Sequence, residues 1–171
     1  MSANDVIVLG VGLHPFGRYP DLTVEDLGRE AALAALDDAG IEFKDIQAGF
    51  LGRVGGTGPP VGVGMRVFGE LGQHGIPITN VELACASSSR AIMHAADMIR
   101  AGVVDTAMVI GVEKMQRGML AVGGPGATTY ASLMGLNVMP AAYAMMAQRH
   151  MALYGTKPEH FAQVSVKSHR N

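Results

Sequence analysis

Tryptophan is absent from these 171 residues and cysteine occurs once, at Cys85. A single cysteine excludes an internal disulfide framework and any multi-cysteine metal site, and it is compatible with a reducing, cytoplasmic setting. Charge is scarce as well, at 16% of residues with a net charge of −2. Lysines and arginines are scattered, with no basic run and no interleaved aromatics, so the chain has no electrostatic footprint for nucleic acid. No apolar run approaches the ~18 residues of a membrane span. No signal peptide is visible either, because Asn4 and Asp5 precede a short apolar run that stops at Gly10.

What the chain does have is small and apolar. Apolar residues make up 49%, aromatics only 5%, and there are 23 glycines. Backbones in such a chain can pack closely, which suits a buried α/β core or an oligomer interface and argues against disorder. The length is enough for one domain with a sizeable core, with room for an appendage.

Hydrophobic patterning predicts alternating strands and helices. Val6 to Val11 reads as a buried strand. Thr23 caps a helix, with Asp26 as the partner of an approximate capping box, an apolar stripe of Leu27, Ala31, Ala34, Ala35 and Ala39, and a stop at Gly40. Ile46 to Leu51 reads as a second strand, followed by a glycine-rich turn from Gly52 to Gly64 that contains Pro59 and Pro60. A helix over Gly64 to Gly72 leads to an extended segment through Ile76, Ile78, Val81 and Leu83. A helix after Cys85 ends at Gly102, and Thr106 to Val112 reads as a fourth strand. This alternation predicts an α/β fold, a largely parallel sheet with helices on both faces.

After Glu113 the character changes. Met115, Met119, Met134, Met139, Met145, Met146 and Met151 cluster, and Gly123-Gly124-Pro125-Gly126 interrupts regular structure. A helix over Pro140 to Leu153 stops at Gly155, and a last helix starts near Pro158. Residues 1–117 therefore read as the core and 118–171 as a flap. Its methionines suit either an adaptable apolar surface or ordinary packing between helices.

Cys85 stands where the extended segment meets the next helix. The serines that follow are good N-cap residues, and Ala91, Ile92, Ala95, Ala96 and Ile99 recur at helical spacing. A thiol at a helix N-terminus faces unpaired N–H groups and the positive end of the macrodipole, and both favour thiolate. A lone cysteine among alanines is also, commonly, a small buried filler.

Other motifs fail. Gly10-Val11-Gly12 is followed by Pro15 where a dinucleotide loop needs its third glycine, and the Gly52 to Gly64 stretch lacks the Gly-Lys-Ser/Thr ending of a P-loop. His14, His74, His94, His150, His160 and His169 show no metal-ligand spacing, and His94 reads as an ordinary helix residue. There is no G-x-S-x-G elbow.

Two blocks together carry a family pattern: Asn80-Val81-Glu82-Leu83-Ala84-Cys85-Ala86-Ser87-Ser88-Ser89-Arg90-Ala91-Ile92, and Ala101-Gly102-Val103-Val104-Asp105 through Gly111-Val112-Glu113-Lys114-Met115. In content and spacing they resemble the N-terminal half of the thiolase superfamily. The tail, with Tyr154-Gly155-Thr156 and Val166-Lys167-Ser168-His169-Arg170-Asn171, is similar to the sterol-carrier-protein-type and lipid-transfer branch. The chain departs from the family at Ser88, where thiolases commonly have glycine.

The resemblance implies a thiolase-like fold, with a mixed sheet covered by helices and the start of a helical flap. It implies Cys85 as catalytic nucleophile, attacking a ketoacyl-CoA or acyl-CoA carbonyl and carrying the acyl group as a thioester. Coenzyme A would then be part of the substrate, with no bound cofactor and no metal. It implies a homodimer with the strand before Cys85 near the interface, and a C-terminal half that supplies a histidine and an acid/base cysteine. Two other activities fit the same resemblance. One is a thiolase-like aldolase that cleaves a 3-hydroxyacyl-CoA with a small zinc-ribbon/OB-fold partner subunit. The other is a non-catalytic acyl-CoA or lipid binding module.

Overall fold

The computed structural model describes residues 5–56, 61–72, 75–115, 118, 130–134, 136 and 138–171. The chain divides into two compact units, residues 1–116 and 117–171. Pro59, Pro60, His74, Met119 and the Gly123 to Gly126 stretch lie outside the described residues.

The first unit is built on three strands, β1 (Ala48–Gly52), β2 (Ile78–Val81) and β3 (Ala107–Gly111), in the order β2-β1-β3. Both pairings are parallel, with Gly49 opposite Ile78 and Ala48 opposite Ala107. Parallel strands need crossover connections, and helices α1 (Val24–Ala39), α2 (Val63–Gly69) and α3 (Ser87–Arg100) surround the strands accordingly. All five residues of β1 are buried, as expected of a central strand covered on both faces.

Strand alternation sorts the core into two layers. Leu51, Met108 and Ile110 face Val24, Ala32, Leu36, Val67 and Phe68 of α1 and α2. Ala48, Phe50 and Val109 face Ala91, Ala95 and Met98 of α3. Each successive side chain in β1 and β3 therefore enters the opposite layer.

Helix α1 begins as its sequence predicts. The Thr23 hydroxyl accepts the Asp26 N–H at 3.0 Å, and the Asp26 carboxylate accepts the Thr23 N–H at 2.8 Å. The Thr23 hydroxyl also donates to that carboxylate, and these bonds hold Asp26 below the ordinary aspartate range. Gly40 ends the helix in the left-handed conformation, φ 67°.

The core stripe of α1 is displaced from its predicted place. Val24, Gly28, Ala32 and Leu36 are buried, whereas Ala34 is exposed and Ala31, Ala35 and Ala39 are half-buried. The helix carries more small apolar residues than one face needs, so the pattern alone does not choose between neighbouring rows. Ala31, Ala35 and Ala39 instead seat the chain near residues 10–12. A Cβ at Gly10 would meet the Ala35 carbonyl oxygen at 2.5 Å, and one at Gly12 would fall on the Ala31 carbonyl oxygen.

That segment corrects the first predicted strand. Residues Val6 to Val11 form no ladder, and Ile7, Val8, Leu9 and Val11 are exposed, Val8 to 80%. A strand needs a neighbour to satisfy its backbone, and among the described residues β3 is the last strand on its side of the sheet. The Val11 N–H donates instead to Asp38 Oδ2 of α1 at 2.8 Å. The other predicted strands and helices lie within two residues of their expected bounds, except that α2 ends three residues early, and the short helix at Tyr130–Leu133 is not among those expected.

The second unit contains α4 (Tyr130–Leu133), α5 (Met139–Tyr154) and α6 (Pro158–Arg170). Pro140 stands in the first turn of α5 and Gly155 ends it with φ 66°. Neither α5 nor α6 has a buried residue. Met134, Met145 and Met146 are all exposed, so within this unit they do not pack a core. His150 joins the two helices through ring contacts to Tyr154 at 4.7 Å and Phe161 at 6.4 Å between centroids. Among the described residues no helix is long and apolar enough to cross a membrane.

Candidate functional site

The carboxyl ends of β1, β2 and β3 converge on the start of α3, and Cys85 lies in the turn between β2 and α3. The thiol is free and exposed. Open parallel sheets bind ligands outside the carboxyl ends of their strands, so the placement is chemically useful.

The turn is held by side chains. Ala84, the residue before Cys85, has φ 46°, the left-handed region, which costs a residue with a Cβ about 1–2 kcal/mol. Its N–H donates to Glu82 Oε1 at 2.7 Å, and its carbonyl accepts the Ser87 hydroxyl at 2.7 Å. The same hydroxyl accepts the Leu83 N–H at 2.8 Å. Ser87 is 3% exposed, so its oxygen is satisfied entirely within the turn.

These contacts correct the predicted serine cap. Ala86 occupies the N-cap position and provides no side-chain bond, while Ser87 is the first helical residue. Ser87 therefore braces the turn behind it rather than capping the helix ahead. Sequence reasoning missed this role because hydroxyls near a helix start normally bond forward, to N–H groups of the first turn.

Ser88, where the sequence departs from the pattern it resembles, fits because two strands end in glycine. A Cβ at Gly52 would meet Ser88 Cα at 2.6 Å, and one at Gly111 would collide with the Ser88 side chain. The first turn of α3 thus rests directly on the backbone ends of β1 and β3.

Glu113 fixes the loop beside it. Its carboxylate accepts the N–H groups of Val54 at 2.9 Å, Gly55 at 3.0 Å and Gly56 at 2.8 Å, and it pairs with Arg53 Nε at 3.3 Å. Lys114, next along, donates to the carbonyl oxygens of Pro20 and Leu22 ahead of α1. The sequence flagged the block that contains Glu113 but not this role, which depends on a loop almost sixty residues earlier.

His94 lies on α3 beside an open groove lined by Phe50, Thr79, Asp97, Met98 and Val103. No hydrogen bond joins it to Cys85 among the described residues. No cluster of three or more metal-ligating side chains occurs among them either.

A parallel three-stranded sheet between helices, with a cysteine ahead of its third helix, fits the class of thiolase-like α/β folds. The model of the thiolase N-terminal domain matches residues 6–171, and the chain belongs to that family. It is 33% identical to sterol carrier protein 2 of Gallus gallus over 96% of its own length and 32% of that protein. It is 35% identical to an acetyl-CoA acetyltransferase of Methanothermobacter thermautotrophicus, over 98% of its length and 45% of that enzyme. The chain thus spans less than half the length of these relatives. The solved structure of the Ltp2-ChsH2(DUF35) aldolase shares the fold, with a TM-score of 0.72 at 23% identity over 92% of this chain and 41% of that one.

Proposed function

We propose that this chain supplies the nucleophile of a thiolase-type acyltransferase acting on 3-ketoacyl-CoA, with Cys85 as the acyl carrier. The observation that carries the reading is an exposed cysteine held in a braced turn at the head of α3, in a chain of the thiolase family.

The chemistry follows from that position. Sγ attacks the 3-keto carbonyl, and the Cα–Cβ bond of the substrate breaks. The acyl part stays on Cys85 as a thioester, and the other part leaves as the enolate of acetyl-CoA, which takes up a proton. A second coenzyme A thiol then attacks the thioester, gives up its proton and leaves as acyl-CoA, freeing Cys85. Covalent transfer divides one difficult step into two easier ones, and the N–H groups at a helix start favour the negative charge that develops. In this reading the groups that move protons in both steps are those of the C-terminal half that the resemblance implies. Residues 118–171 are the flap of this reading. A homodimer is part of it, supported by β2 standing at the sheet edge with Thr79 and Asn80 exposed.

The test is Cys85→Ser in the whole natural polypeptide, with acyl transfer assayed and the intact mass read after incubation with acetyl-CoA. An acetyl adduct on Cys85 and loss of activity in the variant are expected. A variant that still cleaves carbon–carbon bonds would replace this reading with a retro-aldol route that needs no thioester. Acyl-CoA binding without any adduct or turnover would replace it with a binding module.

A further inference from the structure

We infer that Ser87 and Glu82 are positioning residues for Cys85, acting together on the backbone of Ala84. The inference rests on the reading of Cys85 as nucleophile and goes beyond it, because neither side chain is assigned a part in the acyl transfer.

Ala84 is the one non-glycine residue with positive φ among the described residues. Left to itself, alanine leaves that region for the ordinary right-handed or extended conformations. Either change would rotate the following peptide and swing the Cys85 side chain away from the head of α3. Both backbone polar groups of Ala84 are occupied by side chains: Glu82 Oε1 takes its N–H at 2.7 Å, and the Ser87 hydroxyl donates to its carbonyl at 2.7 Å. The Ser87 N–H reaches the same carbonyl at 3.2 Å, and the Ala86 N–H reaches the Leu83 carbonyl at 3.0 Å. Because the Ser87 hydroxyl also accepts the Leu83 N–H, it ties the residue before Ala84 to the carbonyl of the peptide that leads to Cys85.

Ser87 suits this part because it is immobile. It is buried at the first position of α3, whose next residue rests on Gly52 and Gly111. The brace therefore refers the cysteine turn to the rigid ends of β1 and β3. Strain confined to one residue beside a reactive group, and held by side chains that do nothing else, is the form that preorganisation takes.

The test uses the whole natural polypeptide and reads alkylation of Cys85 by iodoacetamide across pH, beside turnover and thermal melting. Ser87→Ala should change the alkylation rate about fivefold or more, because thiol reactivity follows its local environment. Turnover should fall about 10-fold to 100-fold, with KM nearly unchanged, as misplacement of a reacting group implies. Adding Ala84→Gly to Ser87→Ala should recover much of both losses, since glycine adopts positive φ without a brace. A folded Ser87→Ala protein with an unchanged alkylation profile would overturn the inference, as would a double variant no better than the single. If Ser87→Ala does not fold, Glu82→Ala tests the same turn through its other bracket, and an unchanged profile there overturns the inference equally. Acetylation of Cys85 by acetyl-CoA is scored separately. A brace effect without acetylation sinks the acyl-transfer reading alone, and acetylation without a brace effect sinks this inference alone.

Discussion

Arg53 and Glu113 meet where β1 and β3 end, with Nε 3.3 Å from Oε1 and the Arg53 side chain 7% exposed. The same carboxylate gathers three successive N–H groups from the chain that follows Arg53. One side chain thus anchors a loop whose own sequence, Val54-Gly55-Gly56, offers little to hold it.

Glu113→Ala removes the acceptor of three backbone N–H groups and the ionic partner of Arg53 Nε. A loss of about 2–3 kcal/mol in unfolding free energy is expected, the scale of removing hydrogen bonds to a charged group. Glu113→Gln should lose less, because its amide oxygen still accepts. Urea denaturation checks both, and equal losses in the two variants would mean that a neutral acceptor oxygen retains nothing here and that the carboxylate's charge carries the whole effect.

Gly111→Ala places a methyl group against Ser88. Overpacking of this kind costs about 1–3 kcal/mol. Pairing it with Ser88→Gly should return most of the loss, because the clash then has no partner. Additive losses in the double variant, read from thermal melts, would count against the contact.

Phe68 is 1% exposed, its ring lies over Gly49, and it is 6.3 Å from the Phe43 ring between centroids. Phe68→Ala is expected to cost about 3–5 kcal/mol, the range for an aromatic removed from a core. Ile92→Ala, on the exposed face of α3, should stay within about 0.5 kcal/mol. Similar values for the two in the same denaturation assay would contradict the layer assignment.

Asp26 ionises below the ordinary aspartate value of 3.8 because the Thr23 hydroxyl, and then its N–H, donate to the carboxylate. A depressed folded-state value means that the charge stabilises the native protein above the unfolded value. That contribution fades as pH falls through the folded value. Asp26→Asn should therefore melt below the natural protein near neutral pH, with the gap narrowing once pH drops under 3.8. A gap of constant size down to about pH 2 would show that the charge plays no part.

Much of this fold is legible in the sequence because its signals are local. Thr23 with Asp26, Gly40, and the apolar runs of β1 and β3 each declare themselves within a few residues. Val6 to Val11 does not, since a buried apolar run becomes a strand only if a neighbour pairs with it, and pairing is not local. The alanine rows of α1 mislead for a related reason. Small residues serve both a core face and a seat for Gly10 and Gly12, and composition cannot distinguish the two. In the candidate site, the placement of Cys85 between an extended segment and a helix is legible. The brace at Ser87 is not, because a serine there bonds forward or backward according to the turn, and Ala84 gives no sign of its positive φ.

The parallel order β2-β1-β3 also governs how the chain assembles during synthesis. The central strand leaves the ribosome first of the three and acquires its neighbours last: Gly49 waits for Pro77, and Gln47 waits for Thr106. Until the chain reaches β3, one whole edge of β1 stands open. Pairing across such separations is slow to form and exposed to aggregation. For this protein, the pace of elongation through residues 53–106 sets how long that vulnerable interval lasts.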